Sequence, residues 1–189
     1  MTIKVGINGF GRIGRTFTRL AAGRADLEVV AVNDIMDAGT CAHLLEFDST
    51  YGRIGQTVSH TTDTLTVDGK PVAVLAERDP SAIDWAGLGA EIVVESTGKF
   101  RSRDAAAAHL KGGARKVLIS APGKNVDATI VLGVNDADYD PRLHDVISNA
   151  SCTTNCVALM VKVLHDAFGV EQGFYCCLHE CALDSKRMF

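Results

Sequence analysis

The 189-residue chain is 47% hydrophobic and 22% charged, and it contains no apolar run near the length that a membrane span needs. A formal net charge of −4 and the absence of a Lys/Arg cluster argue against nucleic acid or an anionic membrane as the main partner. The first residues lack a basic start followed by an apolar signal region, so we expect a cytoplasmic protein with one full domain and little more.

The chain begins with an alternation of apolar runs and segments of helical periodicity. Apolar runs at residues 3–8 and from Leu27 onward flank a helical pattern at residues 13–22, which together predict a β-α-β unit. A second helix is expected at residues 38–47. Residues 64–75, TLTVDGKPVAVL, place a DG turn between two alternating runs and predict a hairpin. We interpret this hairpin as an insertion and not as part of the core sheet.

The alternation continues through the middle of the chain. An apolar strand is expected at residues 91–97, followed by one Ala-rich helix at residues 102–113 with Ser102 as its N-cap. This order predicts an α/β fold with a doubly wound parallel (Rossmann) sheet, whose ligands lie beyond the carboxyl ends of the strands. Further short strands are expected at residues 116–121, 128–134 and 145–150.

A glycine-rich motif, GFGRIG, follows the first strand and opens the first helix. Gly9 permits a tight turn, Gly11 lets the backbone approach a pyrophosphate, and Gly14 allows the helix to pack closely on the strand. The N-terminus of the helix then offers free N–H groups and a positive partial charge to the phosphates. A purely structural glycine turn would give the same pattern.

Asp34 lies about 20 residues after the glycine motif, just past the second strand. A carboxylate there can accept hydrogen bonds from both ribose hydroxyls of an adenosine, although a simple turn-forming Asp is the alternative. Because the carboxylate would repel a 2′-phosphate, the sequence favours NAD over NADP as the cofactor.

The second chemical motif is SNASCTTNC, which leads from a strand into a helix of roughly four turns. Cys152 falls in the first turn, where the helix dipole and nearby N–H groups stabilise a thiolate. Cys156 lies one turn deeper, and we expect it to pack inside. Cys152 is therefore the better nucleophile, with a plain buried cysteine as the alternative. Without a secretory context, the six cysteines favour catalytic, metal-binding or buried thiols over disulfides.

These residues together resemble the phosphorylating glyceraldehyde-3-phosphate dehydrogenases, a family of NAD-dependent oxidoreductases of glycolysis. The resemblance covers essentially residues 1–174. The motifs that carry it are VGINGFGRIGR, VND, ERDP, ESTGKF, LISAP and SNASCTTNC.

The resemblance implies a set of cofactor contacts. The backbone of Arg12 and Ile13 would hold the NAD pyrophosphate, and Arg78 would lie near the adenine. Thr97 and Ser120 would form the floor near the nicotinamide, although Ser120 could also simply end a strand.

The resemblance also implies a catalytic set. The Cys152 thiolate would attack an aldehyde, His179 would take the hydroxyl proton, and a hydride would pass to NAD. The resulting thioester would then be open to inorganic phosphate, held by Ser151 and Thr153. The substrates would be glyceraldehyde 3-phosphate and inorganic phosphate, and the assembly a homotetramer.

The sequence departs from the family pattern near its end. Ala182 replaces a threonine that helps to bind the substrate phosphate, and Leu159 stands where the family commonly has proline. We expect residues 1–150 to form the NAD-binding domain and residues 151–189 to form the nucleophile helix with only the start of an α+β substrate domain. The alternative to an active enzyme is therefore a catalytically inactive NAD-binding remnant or fragment, with an erythrose 4-phosphate enzyme as a further relative.

The last residues form a cysteine-rich tail with two open interpretations. If it is a strand, Cys177, His179 and Cys181 point to one face and could recruit zinc, or Cys177 or Cys181 could pair with Cys152. Cys176 would then point to the opposite face. We favour a diverged or disrupted tail and assign no metal site.

Overall fold

The structure, a computed structural model, describes residues 2–175. Strands and helices alternate along the chain as the apolar runs predict. In chain order they are β1 (Ile3–Asn8), α1 (Arg12–Ala22), β2 (Leu27–Asn33), α2 (Ala38–Glu46), β3 (Phe47–Asp48), β4 (Gly52–Arg53), β5 (Val58–His60), β6 (Thr64–Val67), β7 (Lys70–Leu75), β8 (Ile92–Glu95), α3 (Arg103–Ala106), α4 (Ala108–Lys111), β9 (Lys116–Ile119), β10 (Ala128–Thr129), β11 (Val146–Ser148) and α5 (Cys152–Phe168).

The main sheet has nine strands in the order β10-β11-β9-β8-β1-β2-β7-β6-β5. All neighbours from β10 to β7 are parallel, and only the β5-β6-β7 pairs are antiparallel. The strand order reverses between β1 and β8, so the carboxyl ends of these two strands open a crevice. The predicted α/β fold with a doubly wound parallel sheet is confirmed.

Helices or loops cover both faces of the sheet. Successive residues of a strand point to opposite sides, so each central strand places apolar side chains on both faces. Val32 and Val94 belong to the core cluster that includes Leu45 of α2. Their neighbours Ala31 and Val93 belong instead to a cluster around Trp85. Such two-sided burial explains why the parallel strands read as nearly continuous apolar runs.

The hairpin is confirmed, but its interpretation as an insertion is wrong. Asp68 and Gly69 both have positive φ angles, 47° and 78°, as the DG turn predicts. Strand β7, however, pairs in parallel with β2, with Ala73 opposite Ala31. The hairpin therefore extends the main sheet, because β7 supplies hydrogen-bond partners to the outer edge of β2.

Three other elements differ from the expectation. The Ala-rich segment forms two short helices, α3 and α4, which meet at a tighter turn at Ala107 (φ −62°, ψ −12°). Ser102 caps α3 as predicted, accepting a hydrogen bond from the N–H of Ala105. The run at residues 128–134 yields only the two-residue strand β10, and α2 ends at Glu46.

Within residues 2–175, no helix is long and apolar enough to cross a membrane.

Candidate functional site

A groove of about 260 Å³ opens at the carboxyl ends of β1, β2, β7 and β8. This is the switch point at which doubly wound sheets bind their ligands. The structure brings five of the predicted site residues together in its lining. They are Gly9, Gly11, Asp34, Arg78 and Thr97.

The three motif glycines have different surroundings. A Cβ on Gly9 would lie 2.6 Å from the backbone nitrogen of Thr97, and a Cβ on Gly14 would lie 2.3 Å from the carbonyl oxygen of Gly9. A Cβ on Gly11 would meet nothing within 4 Å, and its φ of −71° suits any residue. The fold therefore requires glycine at positions 9 and 14, whereas at position 11 the missing side chain leaves open space in the groove.

Helix α1 begins at this open space without a side-chain cap. Gly11 is its N-cap residue, and within residues 2–175 no side chain caps the first turn. The first N–H groups of a helix have no acceptor within the helix. Arg12 is exposed and Ile13 is 53% exposed, so the start of α1 is accessible to an anion.

Asp34 follows β2 and lies directly beside the glycine turn. Its Oδ2 atom accepts a hydrogen bond from the N–H of Phe10 at 2.6 Å, and its Oδ1 atom accepts from the N–H of Met36 at 3.1 Å. These two bonds fix the rotamer and leave further lone pairs for hydroxyl donors.

Ser120 does not line this groove. It directly follows β9, the neighbour of β8, and its hydroxyl donates to the carbonyl of Glu95 at 3.2 Å. Thr97 is half-buried in the groove. Arg78, in the loop that follows β7, is exposed and also lines the groove. Ser120 and Thr97 thus lie at the ends of adjacent strands.

The second predicted element, the helix that carries Cys152, is α5. It follows β11 after a short turn, and Cys152 is its first residue. The predicted place of Cys152 in the first turn of a helix is confirmed, and its thiol is exposed. Cys156 is exposed too, and the expectation that it packs inside is wrong. Among the described residues no element buries any residue of α5, and helical spacing alone cannot reveal whether a neighbour is present.

Hydroxyl groups surround the start of α5. Ser151 is the N-cap and accepts from the N–H of Thr154 at 2.9 Å. Its oxygen also lies 2.9 Å from the hydroxyl oxygen of Thr153. Just before this cap, Ala150 has a left-handed φ of 57°, and the fully buried Ser148 hydroxyl accepts from its N–H at 3.0 Å. The turn that presents Cys152 is therefore held by local hydrogen bonds.

The remaining cysteine that the structure describes, Cys41, has a different environment. It is fully buried on α2. Burial, together with the negative charges of Asp34 and Asp37, raises the pKa of the Cys41 thiol to about 11. Cys41 is therefore a packing residue.

His179 lies outside the described residues, as do Cys176, Cys177, Cys181 and Ala182. The catalytic role of His179 stays a prediction, and the zinc and disulfide alternatives for the tail stay untested.

Sequence reasoning missed several residues that line the groove. Asn8 and Asn33 are the final residues of β1 and β2, and Glu77 follows β7. A signal was present, because a polar residue ends each of the apolar runs of β1, β2 and β8. The other unassigned lining residues are Ile35, Ser96, Lys99 and Phe100.

Comparison with known proteins is decisive for the family. Residues 3–103, more than half of the chain, match the family model for the glyceraldehyde 3-phosphate dehydrogenase NAD binding domain. The chain belongs to the glyceraldehyde 3-phosphate dehydrogenase family. Residues 151–188 match the C-terminal domain of the same family. The predicted family is thereby confirmed, with NAD as the cofactor of the matched N-terminal domain.

Bacterial relatives extend the match along the chain. A glyceraldehyde-3-phosphate dehydrogenase of Streptomyces coelicolor is 57% identical over 187 residues, and one of Geobacillus stearothermophilus is 55% identical over 186 residues. A third, from Bacillus subtilis, is 53% identical over 186 residues. Each alignment covers 98% of this chain and 56% of the relative, so the chain spans about half the length of the curated relatives it matches.

Proposed function

We propose that this chain binds NAD in the groove at the switch point and presents Cys152 as the nucleophile of a phosphorylating aldehyde dehydrogenase. The observation that supports it most is the open space at Gly11 directly before the uncapped start of α1, with the carboxylate of Asp34 held beside the same turn. A dinucleotide needs these groups: N–H donors for its pyrophosphate and a carboxylate for its ribose.

The proposal assigns a cofactor contact to each predicted site residue in or beside the groove. The backbone of Arg12 and Ile13 holds the pyrophosphate, with Gly9, Gly11 and Gly14 shaping the turn. The carboxylate of Asp34 accepts from the ribose hydroxyls, and Arg78 lies near the adenine. Thr97 and Ser120 support the nicotinamide, which accepts a hydride when NAD is bound.

At the start of α5, the Cys152 thiolate attacks the aldehyde carbon and forms a carbon–sulfur bond. The N–H groups of the first turn of α5 stabilise the oxyanion, which takes up a proton to give a hemithioacetal. His179 then accepts the hydroxyl proton while the carbon loses its hydride, which bound NAD would accept, and a thioester remains. Ser151 and Thr153, whose hydroxyl oxygens lie 2.9 Å apart, hold the phosphate that cleaves the thioester. The aldehyde is glyceraldehyde 3-phosphate, as the names of the relatives indicate.

We further propose that residues 1–150 form the NAD-binding domain and residues 151–189 belong to the substrate domain, in a homotetramer located in the cytoplasm. This division is supported by the family matches at residues 3–103 and 151–188.

Binding and turnover test the two parts separately. Calorimetric titration with NAD should give binding, and titration with NADP should give much weaker binding. NADH formation from glyceraldehyde 3-phosphate, NAD and phosphate should be abolished in Cys152→Ser. Cys156→Ser is the matched control, because Cys156 is exposed on the same helix, and it should keep the activity.

Each outcome has a defined meaning. Binding of NAD without turnover would reduce the chain to an NAD-binding protein that carries an unused nucleophile. A folded chain without affinity for NAD would overturn the whole proposal.

A further inference from the structure

Three buried polar side chains lie side by side at the carboxyl edge of the sheet. Asn8 is directly opposite Asn33 in the β1-β2 pair and directly opposite Glu95 in the β1-β8 pair. Their exposed fractions are 2%, 4% and 1%, respectively. Burying three such groups is unfavourable unless their hydrogen-bond partners are complete.

The hydrogen bonds between them run in one direction. The Oδ1 atom of Asn33 accepts from the N–H of Glu77 at 2.7 Å, which fixes the amide of Asn33. Its Nδ2 atom then donates to Oδ1 of Asn8 at 2.7 Å, and Nδ2 of Asn8 donates to Oε2 of Glu95 at 2.6 Å. Reversing either amide would place two donors against each other.

His109 closes the chain from the other side and must be neutral. The indole N–H of Trp85 donates to Nδ1 of His109 at 3.0 Å, so this nitrogen carries no proton. The proton is therefore on Nε2, which lies 3.0 Å from Oε2 of Glu95 and donates to it. Both rings are fully buried.

The second carboxylate oxygen of Glu95 binds Thr97, a residue that lines the groove. Oε1 accepts from the N–H of Thr97 at 2.9 Å and from the Thr97 hydroxyl. The hydroxyl oxygen of Thr97 in turn accepts a hydrogen bond from the N–H of Lys99 at 3.1 Å. Four groups donate to the Glu95 side chain, and each of its two oxygens accepts two of these hydrogen bonds.

We propose that Glu95 is a positioning residue for the nucleotide groove, as the common acceptor of one hydrogen-bond chain. Glu77, Asn33 and Asn8 donate in turn toward Glu95 from one side, and Thr97 donates to it from the other. The inference rests on the proposed binding of NAD in this groove. Thr97 and Glu77 line the groove at β8 and β7, which are separated by β1 and β2. At a strand spacing of about 4.8 Å, the chain links walls about 14 Å apart. Glu95 itself does not line the groove.

The replacement Glu95→Gln breaks this direction while preserving the size of the side chain. An amide oxygen can still accept from Thr97, but its NH2 group then faces the donors of Asn8 and His109. Asn8 cannot reverse because of Asn33, and His109 cannot change tautomer because of Trp85. The conflict must shift the ends of the strands, including the side of the groove at Glu77.

The test measures affinity for ADP as well as NAD, because ADP occupies only the adenosine and pyrophosphate part of the proposed site. We expect Glu95→Gln to lower the affinity for both NAD and ADP at least tenfold. Circular dichroism checks that the variant is folded. Glu91→Gln is the matched control, since Glu91 pairs with Arg115 at the exposed start of the same segment. It should leave both affinities within twofold.

A second variant separates positioning from general damage. In Glu95→Gln/Asn8→Asp, the carboxylate introduced at position 8 can accept from the amide at position 95, from Asn33 and from His109, whose Nε2 lies 3.5 Å from Nδ2 of Asn8. We expect this double variant to recover at least half of the lost ADP affinity, on a logarithmic scale. If Glu95→Gln does not fold, Asn33→Ala cuts the same chain and should weaken ADP at least fivefold.

The outcomes distinguish this inference from the proposed function. A wild-type chain that does not bind NAD overturns both. Normal binding by the wild type with unchanged ADP affinity in a folded Glu95→Gln, or in Asn33→Ala where that variant is needed, overturns the positioning role alone. Loss of affinity without any recovery in the double variant also overturns it, because simple damage to the fold would then explain the loss.

Discussion

The Oδ2 atom of Asp34 lies 2.6 Å from the backbone nitrogen of Phe10 and accepts its hydrogen bond. This bond ties the end of β2 to the glycine turn between β1 and α1. One carboxylate therefore orders the turn and stays available to a ribose on the groove side. The two roles occupy different lone pairs of the same group.

Asp34→Asn should lower the affinity for NAD about tenfold and raise the ratio of NADP to NAD affinity. The amide is a weaker acceptor for the ribose hydroxyls, and loss of the charge removes the repulsion of a 2′-phosphate. Titration of both cofactors checks this. Asp37→Asn is the control, because Asp37 caps α2 through Thr40 and does not line the groove. An unchanged cofactor ratio in Asp34→Asn would contradict the assignment.

The glycine turn should separate stability from binding. Gly11→Ala should lower the free energy of unfolding by no more than about 1 kcal/mol, since its Cβ meets open space and alanine is only a poorer N-cap than glycine, but it should weaken NAD binding by blocking the pyrophosphate. Gly14→Ala should destabilise the fold by about 2–4 kcal/mol, because the Cβ would lie 2.3 Å from the carbonyl oxygen of Gly9. Urea unfolding and NAD titration of both variants check the contrast. Full NAD affinity in Gly11→Ala would contradict it.

Acid should remove a stabilising contribution of Asp127. Its carboxylate accepts from Arg103 at 2.6 Å and from the N–H groups of Asp145 and Val146 at 2.9 and 2.8 Å. Although partial burial acts to raise it, these hydrogen bonds lower the pKa of Asp127 below its ordinary value. The contribution is therefore complete above the unfolded-state pKa of about 3.9 and is lost as the pH falls through the lower folded-state value.

We accordingly expect Asp127→Asn to cost about 1–2 kcal/mol at pH 7 and progressively less as the pH falls below about 4. Urea unfolding across this range measures the difference. The exposed Asp138 provides a control, because Asp138→Asn should change stability by less than about 0.5 kcal/mol at pH 7. A difference between wild type and Asp127→Asn that grows as the pH falls would refute the direction of the shift.

The cysteines of the described residues should differ in reactivity. Cys152 and Cys156 are exposed, whereas Cys41 is buried and its thiol pKa is raised to about 11. At pH 7 the thiolate fraction of Cys41 is on the order of 10⁻⁴. Iodoacetamide should therefore label Cys152 and Cys156 in the native protein and Cys41 only in urea, as peptide mass spectrometry can measure. Native labelling of Cys41 at the rate of Cys156 would contradict its burial.

Local sequence determined most of the helices and strands and the approximate position of the nucleotide groove. Apolar runs predicted β1, β2 and β8, the DG pair predicted its turn, and the motif glycines predicted the β1-α1 junction. These predictions agree with the structure because each feature depends on a few neighbouring residues, through side-chain alternation, positive φ or close backbone packing. The family resemblance could likewise be recognised from short motifs.

Only the tertiary structure decided which residues meet across strands. Asn8, Asn33 and Glu95 each end an apolar run, but strand order and register bring them into one chain of hydrogen bonds. The hairpin joined the core sheet because β2 had a free edge, and Cys156 stayed exposed because no described element covers α5. Pairing and burial depend on contacts between residues distant in sequence, which local periodicity does not encode.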